Sequence, residues 1–446
     1  MKAIIIVLTK LLSFAGRLLG KGTSLPGKIA LKLCPTILSK LTLPKDVIAV
    51  TGSNGKTSTV EMIAYILNAA GKKVVYNKEG SNQIEGVATL LLCNSSLSGK
   101  VKGDAVILES DERYARHTFK YIKPTCFAVT NLYRDQLTRN AHPYRIFDIL
   151  QDAVDLVPDA TLLLNADDPI VRGFGKNRDN AIYFGMAQNE YSTPDTDGVY
   201  NDCFYCPCCK KPMDYTFFHY AHLGSYECKG CGYSRPDTAY TVDSADLNEG
   251  EIAVNGNKIK LAFASRYNVY NLCAAFAAAN IAGADGKVIA EAMSDFVMKN
   301  GRIVTFKAGE NQGLLITSKH ENSTSYNQSL EYVCNRREPC DLYVIVDAIS
   351  RKYYTAETSW LWDIAFEKLA KSNVKRVTLC GSYAYDLAVR FSIMDLGDIR
   401  VVVQPDLDLM AKQMADMSGM DLYVITCFSD KDKLFCRVDV QTPVAK

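Results

Sequence analysis

The hydrophobic positions along the chain fall into short continuous runs separated by stretches of helical spacing. Ile48-Ala49-Val50, Lys73-Val74-Val75-Tyr76, Ala105-Val106-Ile107-Leu108, Cys126-Phe127-Ala128-Val129 and Leu162-Leu163-Leu164 read as buried strands, with helices over 60–70, 84–93 and 144–156 between them. This alternation predicts an α/β fold whose mostly parallel sheet is covered on both faces. Near Tyr200 the composition turns to Cys, Tyr and Pro, then returns to the ordinary pattern after Pro236, so an inserted module is expected over about 200–236. A second α/β run begins near Arg302, with strands expected at 314–317, 342–347, 376–380, 399–403 and 422–427. The expected organisation is an N-terminal helical segment over 1–45, a central domain over 46–300 and a C-terminal domain over 301–446.

The first 45 residues read as helices broken at Pro26, Pro35 and Pro44. Ala3 to Leu8 is apolar, but Lys10, Arg17 and Lys21 interrupt it before a membrane-spanning length of about 20 residues accumulates. No small-residue cleavage site follows, so a signal peptide is not expected. An amphipathic helix is expected instead, with Leu11, Leu12, Phe14, Leu18 and Leu19 on its apolar side. It either packs on the next domain or lies on a membrane surface with Lys10, Arg17, Lys21, Lys28 and Lys32 toward the headgroups.

With 446 residues, 48% hydrophobic and 22% charged, the chain is ordinary globular material, long enough for two or three cores. A formal charge of +2 argues against a nucleic-acid-coating surface. Of the fifteen cysteines, six lie between Cys203 and Cys231 and the others are scattered singly. That distribution suits a reducing compartment, the cytoplasm, with one metal site better than it suits a disulfide framework.

The most specific chemistry lies in Val50-Thr51-Gly52-Ser53-Asn54-Gly55-Lys56-Thr57-Ser58-Thr59, which follows a strand and opens a helix. Glycines let backbone N–H groups close around phosphates, and the helix N-terminus adds its positive dipole end. Gly52, Ser53, Asn54, Gly55 and Ser58 would cradle ATP, Lys56 would reach its β- and γ-phosphates, and the Thr57 hydroxyl would bind Mg²⁺. Val50 stands where the usual first glycine of the motif falls. At the end of the strand through Leu108, Glu109 is placed to face Thr57 as a second magnesium contact, while Asp111 and Glu112 read as solvated groups or helix caps. Asn131 to Leu137 again puts polar groups at a strand end. Asn268 and Asn271 open an alanine-rich helix, where their amides either read a purine edge or act as N-caps.

Cys206-Pro207-Cys208-Cys209 and Cys228-Lys229-Gly230-Cys231 have the spacing of a four-cysteine zinc ribbon, with Cys206, Cys209, Cys228 and Cys231 as the closed tetrahedral set. Cys203 and Cys208 are supernumerary. His219 and His222 lie between the pairs as lesser ligand candidates. A closed site implies a structural role, and the segment lacks the dense basic run of a nucleic-acid module.

Taken in order, Thr51–Thr59, Glu109, Asn131–Leu137 and Asn268–Ala275 resemble the Mur ligase superfamily of ATP-dependent amide-forming enzymes. The four-cysteine insertion, Asn131-Leu132-Tyr133-Arg134-Asp135-Gln136-Leu137 and Ser359-Trp360-Leu361-Trp362-Asp363 narrow the resemblance to the MurT family, the synthetase subunits of lipid II isoglutaminyl synthase. It implies a Mur ligase-type P-loop central domain with an inserted zinc ribbon and a C-terminal Rossmann-like α/β domain. With only about 45 residues before the first strand, it also implies that the UDP-binding domain of other Mur ligases is missing.

The implied activity is ATP-dependent amidation of the D-glutamate α-carboxylate of lipid II to D-isoglutamine through an acyl phosphate. The resemblance places Asn268 and Asn271 at the adenine and brings Arg302, in Asn300-Gly301-Arg302, to the nucleotide from the C-terminal domain. No cysteine with a plausible His partner is evident among His117, His142, His219, His222 and His320, so ammonia would come from a GatD-like class I glutaminase bound as a heterodimer. In the family an Asp completes that partner's Cys-His pair. Glu357 holds the position here, and a carboxylate of this kind can orient an imidazole. Three stretches depart from the family pattern: Lys319-His320-Glu321-Asn322-Ser323, Thr138-Arg139-Asn140-Ala141-His142 and Asp347-Ala348-Ile349-Ser350. They leave open a related ligase with another acceptor, such as a poly-glutamate ligase.

Overall fold

The computed structural model describes every residue except 19–23, 78–81, 197, 262–264, 298–302, 349–356, 417–419 and 442–446. Leu19, Lys21, Arg302 and the Ile349-Ser350 pair therefore lie outside the described residues. The chain divides into two units, the first comprising 1–133, 143–194 and 202–296, the second 134–142, 195–201 and 297–446.

In the first unit the five apolar runs become β1 (Asp46–Thr51), β2 (Val74–Tyr76), β3 (Ala105–Glu109), β4 (Cys126–Val129) and β5 (Thr161–Asn165), and a strand that no run announced, β6 (Ala181–Met186), joins them, ordered β6-β5-β4-β1-β3-β2 and all parallel. A separate small antiparallel sheet follows, made of β7 (Asp214–Tyr220), β8 (Leu223–Cys228) and β9 (Tyr233–Ser234). The chain then rejoins the large sheet with β10 (Tyr240–Asp246) parallel to β6, and finishes it with the antiparallel hairpin β11 (Glu251–Val254) and β12 (Asn257–Lys260). The periodicity does not announce these last strands, because half their side chains are charged or polar and face outward at the sheet edge.

The connecting helices are α1 (Lys2–Leu18), α2 (Leu25–Leu33), α3 (Lys56–Ala69), α4 (Ile84–Cys93), α5 (Ala115–Phe119), α6 (Leu137–Asn140), α7 (Pro143–Asp155), α8 (Pro169–Arg172), α9 (Arg266–Ile281) and α10 (Gly286–Ser294). Of these, α6 belongs to the second unit. Alternation along the strands sends Val47, Ala49, Val106, Leu108, Phe127 and Leu162 into one core with α4, α5 and α7. Ile48, Val50, Ile107, Ala128 and Leu163 are equally buried and point the other way, where α3 and α9 pack on the sheet. Both faces are covered, as a parallel sheet requires.

Pro26 does not break a helix as expected. It sits in the first turn of α2, where its missing N–H would have had no partner anyway. Next to it Gly27 allows α2 to approach α4 closely, since a Cβ there would stand 1.9 Å from the Glu85 carbonyl oxygen. Of the two placements open to the expected apolar side of α1, packing on the next domain is taken by a different face. Ile5, Ile6, Thr9 and Ser13 are buried against α2 and α4, whereas Leu11, Phe14 and Leu18 are exposed.

The second unit holds β13 (Ile303–Ala308), β14 (Asn311–Ser318), β15 (Cys340–Ile345), β16 (Val374–Cys380), β17 (Arg400–Gln404), β18 (Asp421–Cys427) and β19 (Asp439–Val440), in the order β17-β16-β15-β18-β14-β13-β19. The five strands from β17 to β14 are parallel, and β13 and β19 close one edge antiparallel. Its helices are α11 (Ser323–Cys334), α12 (Ala384–Ser392), α13 (Leu407–Asp416) and α14 (Lys431–Phe435). Leu342 and Val344 enter one core and Tyr343 and Ile345 the other, so this sheet too is buried on both faces.

Candidate functional site: a phosphate-binding turn and a four-thiol cluster

The strand order reverses at β1, whose neighbours are β3 on one side and β4 on the other. In an open α/β sheet this is where the carboxyl ends of the strands leave a crevice for a ligand. Register pairs Val50 with Glu109 and Thr51 with Val129, so the turn after β1, Glu109 and Thr130 stand level. Gly52 and Gly55 both have positive φ, 141° and 85°. A Cβ on Gly52 would lie 2.1 Å from the Thr130 hydroxyl, and one on Gly55 1.9 Å from Asn271 Oδ1, so only glycine fits either place.

The turn is clamped by the end of β4. Asn54 N–H donates to Asn131 Oδ1 (2.8 Å), Asn131 Nδ2 and Thr130 Oγ1 both donate to Asn54 O (3.1 and 2.9 Å), and Tyr133 N–H donates to Ser53 Oγ (2.9 Å). Asn131 is therefore a positioning residue for the turn, a role that polarity at a strand end suggests without specifying. From the first turn of α3, Thr57 Oγ1 donates to Glu109 Oε2 at 2.8 Å, and Asn82 Nδ2 holds the other carboxylate oxygen at 3.2 Å. A hydroxyl and a carboxylate converging in a largely buried setting are hard oxygen donors of the kind Mg²⁺ takes.

Two sequence expectations need correcting here. Glu112 is neither solvated nor a cap: it is buried and accepts from Lys56 Nζ at 2.6 Å, while the same ammonium also donates to Gly52 O. Asp111 is also buried, its carboxylate turning back to Arg113 N–H ahead of α5. Nor are Asn268 and Asn271 N-caps, because α9 begins at Arg266 and both are buried inside it. Asn271 lies against Gly55, and Ser58 is buried in α3.

The Sγ atoms of Cys206, Cys209, Cys228 and Cys231 all lie within 4.8 Å of one another, with Cys206···Cys231 at 3.6 Å and Cys209···Cys228 at 3.4 Å. Four thiols at such spacing match the edges of a tetrahedron around a thiolate-bound metal. Among the described residues this is the group of three or more His, Cys, Asp or Glu side chains close enough together to share a metal ion. Cys203 is buried in the hydrophobic core instead, and Cys208 is exposed.

His219 and His222 are not part of the cluster; they dock the module onto the end of β5. His222 Nε2 lies 3.5 Å from Asp168 and His219 Nε2 4.0 Å from Asp167. Asp167 also takes Arg235 Nε and the Tyr270 hydroxyl, both at 2.6 Å. Burial pushes the His222 pKa down, yet the Asp168 carboxylate outweighs it and leaves the imidazole above its ordinary value. For His219 burial prevails over Asp167 and the value falls. Asp168 further accepts Leu132 N–H at 2.8 Å, one residue before the Tyr133 amide that holds Ser53. The run Asn165-Ala166-Asp167-Asp168 after a buried strand was the available signal for this network.

In the second unit, Lys319 pairs with Asp135, and Asn322 Nδ2 donates to the other Asp135 oxygen at 2.9 Å while its own Oδ1 caps α11 through Ser325 N–H. Two segments that depart from the family pattern or flank it thus form one cluster. Asp347, at the end of β15, accepts from Ser382 and Lys433; burial would raise its pKa, but these bonds hold it below the ordinary carboxylate value. Glu357 is exposed, and hydrogen bonds from the Ser359 side chain and from Ser359 N–H (2.7 Å) hold its pKa below the ordinary carboxylate value. Beside it Trp360 is buried against Tyr326, while Trp362 is exposed.

Comparison with known proteins gives matches along most of the chain. Residues 50–205 match the Mur ligase middle domain and 320–430 the MurT ligase C-terminal domain. The lipid II isoglutaminyl synthase (glutamine-hydrolyzing) subunit MurT of Streptococcus pneumoniae is 30% identical over 92% of this chain and 91% of its own length. The subunit of the same name from Staphylococcus aureus is 28% identical over 94% and 93%. Among solved structures, a pseudomurein peptide ligase type C from Methanothermus fervidus superposes with a TM-score of 0.68 at 21% identity, over 90% of this chain and 79% of that one. MurF ligase from Thermotoga maritima in complex with ADP gives 0.59 at 16% identity, over 89% and 80%.

Proposed function

Because the chain belongs to the MurT family of Mur-type ligases, we propose that it is the synthetase subunit of a lipid II isoglutaminyl synthase in peptidoglycan synthesis. The observation that carries this reading is the Lys56, Thr57 and Glu109 set at the sheet's switch point, beneath a turn that only glycines can form. A protein that had given up phosphoryl transfer would have no need of the Thr57–Glu109 pair.

In this reading Gly52 to Ser58 orient the triphosphate of ATP on the N-terminus of α3, and Lys56 takes the β- and γ-phosphates in exchange for Glu112. Thr57 and Glu109 would hold Mg²⁺, which would neutralise phosphate charge. Asn268 and Asn271 complete the nucleotide site within this unit, a reading supported by the close approach of Asn271 to Gly55. The D-glutamate α-carboxylate of lipid II attacks the γ-phosphorus, and ADP leaves. Ammonia then attacks the carbonyl carbon of the acyl phosphate, inorganic phosphate leaves and one proton is lost, giving D-isoglutamine. The protein contributes positioning and charge, with no covalent step of its own. The four thiolates hold zinc as a structural ion.

Ammonia comes from a GatD-like glutaminase subunit. Supporting this, Glu357 precedes a face on which Trp362, the α12 side chains Tyr385 and Val389, and Ile393 at the end of that helix are exposed, an apolar surface fit for a partner. The site of action is the cytoplasmic face of the membrane, where the lipid-linked acceptor resides. The Lys319–Asp135–Asn322 cluster, built from a segment that departs from the family pattern, keeps one alternative in play: a related carboxylate–amine ligase with a different acceptor, such as a poly-glutamate ligase.

The test is ATP-dependent amidation of lipid II read by mass spectrometry, with ammonium and then glutamine, each with and without the partner. Amidation with ammonium alone, extended to glutamine only when the partner is added, is the expected result. No product from either nitrogen source, with ADP released instead on addition of glutamate, would favour the alternative.

A further inference from the structure

The helix α1 buries one face and leaves another, equally apolar, uncovered. Ile4, Val7, Leu11, Phe14 and Leu18 recur at alternating steps of three and four residues, which places them on a single stripe. Their exposure runs from 41% at Val7 to 75% at Leu18, whereas Ile5 and Ile6 on the packed face are nearly inaccessible. On α2, which packs beside α1, Leu25 and Leu33 are likewise exposed, together with Lys28 and Lys32. Among the described residues no helix is long and apolar enough to cross a membrane, so the stripe is a surface feature.

Charge identifies what covers it. Residues 1–45 contain eight lysines and arginines and no aspartate or glutamate, while the remainder of the chain carries 43 basic against 49 acidic groups. A second copy of this segment would bring like charge onto like charge. An anionic bilayer offers hydrocarbon for the stripe and negative headgroups for the lysines, and the net negative remainder is repelled from it.

We propose that α1 and α2 form an interfacial anchor: the stripe Ile4, Val7, Leu11, Phe14 and Leu18 lies in the headgroup–acyl boundary of an anionic membrane, with Lys28 and Lys32 on the lipid phosphates. The consequence for catalysis rests on the lipid II reading, because only a membrane-borne acceptor gains from an anchored ligase.

The measurement is flotation of the full-length protein with phosphatidylcholine vesicles, with and without phosphatidylglycerol, alongside amidation of lipid II in those vesicles and of a lipid-free muropeptide with the same stem peptide. Binding to the anionic vesicles alone is expected. It should be lost in Leu11→Glu/Phe14→Glu and weakened roughly 30-fold in Lys28→Ala/Lys32→Ala, at about fivefold per surface lysine. The lysine variant touches no apolar contact, so it guards against a folding defect in the first.

Failure of the wild-type protein to bind either vesicle overturns the proposal, as does binding that survives the glutamate substitutions. Self-association at sedimentation equilibrium that the glutamate pair abolishes, without vesicle binding, overturns it in favour of a seam between copies. Vesicle binding without amidation of either acceptor leaves the anchor standing and refutes the lipid II reading instead.

Discussion

Lys56 Nζ and Glu112 Oε1 lie 2.6 Å apart at the mouth of the phosphate-binding turn, with both side chains largely shielded from water. The pair holds the lysine over the turn while no phosphate is there, and it makes the two residues separable in experiment. Lys56→Ala strands a buried carboxylate and is expected to lower stability by up to about 3–5 kcal/mol, whereas Lys56→Ala/Glu112→Ala recovers most of that loss. Both variants lose ATP turnover on the order of a thousandfold. Thermal denaturation beside ADP release checks it; equal stability of the single and double variants would refute the pairing.

Glu109→Gln keeps a hydrogen-bond acceptor for Thr57 but removes the negative charge a divalent cation needs. The Mg²⁺ concentration giving half-maximal ADP formation should rise by about 10–100-fold, with little change in melting temperature. A magnesium dependence identical to wild type would place the metal elsewhere.

Cys209→Ser should leave the purified protein short of about one equivalent of zinc and lower its melting temperature, since three thiolates bind more weakly than four. Cys203→Ser and Cys208→Ser should retain full metal content. Elemental analysis decides between this assignment and one using Cys203.

The two docking histidines predict opposite pH limbs. The His222 pKa is raised in the fold, so its contribution to stability is present below its unfolded value of about 6.5 and fades as pH rises through the folded value. The His219 pKa is lowered, so the unfolded chain takes up the proton first and stability falls as pH drops from about 6.5 through the depressed value. Chemical denaturation from pH 5 to 9 should show His222→Gln flattening the alkaline limb and His219→Gln the acidic one.

Glu357→Gln should abolish amidation driven by glutamine in the presence of the partner while sparing amidation driven by ammonium. In the isolated chain the exposed carboxylate is held by Ser359, through its side chain and its N–H, an interaction that a partner imidazole can displace. Equal loss with both nitrogen sources would assign the residue to the synthetase site.

Most of the parallel strands were legible because they are continuous apolar runs ended by polar residues, and Cys126–Val129 could be bounded to the residue; β6 and β10 were not, since tyrosine, glycine or acidic positions interrupt their runs. The same polar ends carry the site, so Lys56, Thr57 and Glu109 could be named from spacing. What escaped were the groups whose role depends on long-range contact. Glu112 looks like any acid ahead of a helix until Lys56 is placed above it. Asp167 and Asp168 acquire meaning only when β7 and β8 deliver His219 and His222 from fifty residues downstream. The outer strands β11 and β12 were missed for a different reason: an edge hairpin with one wet face has too few apolar positions to register.

Strands β6 and β10 run parallel and adjacent, so the chain between Met186 and Tyr240 stands where such folds ordinarily place a crossover helix. Here the thiol cluster takes that place. A closed knuckle shortens the span the chain must search before β10 finds β6, and with it β11 and β12. A metal closing the four thiols would therefore couple its own binding to assembly of the outer third of the sheet, β10 to β12.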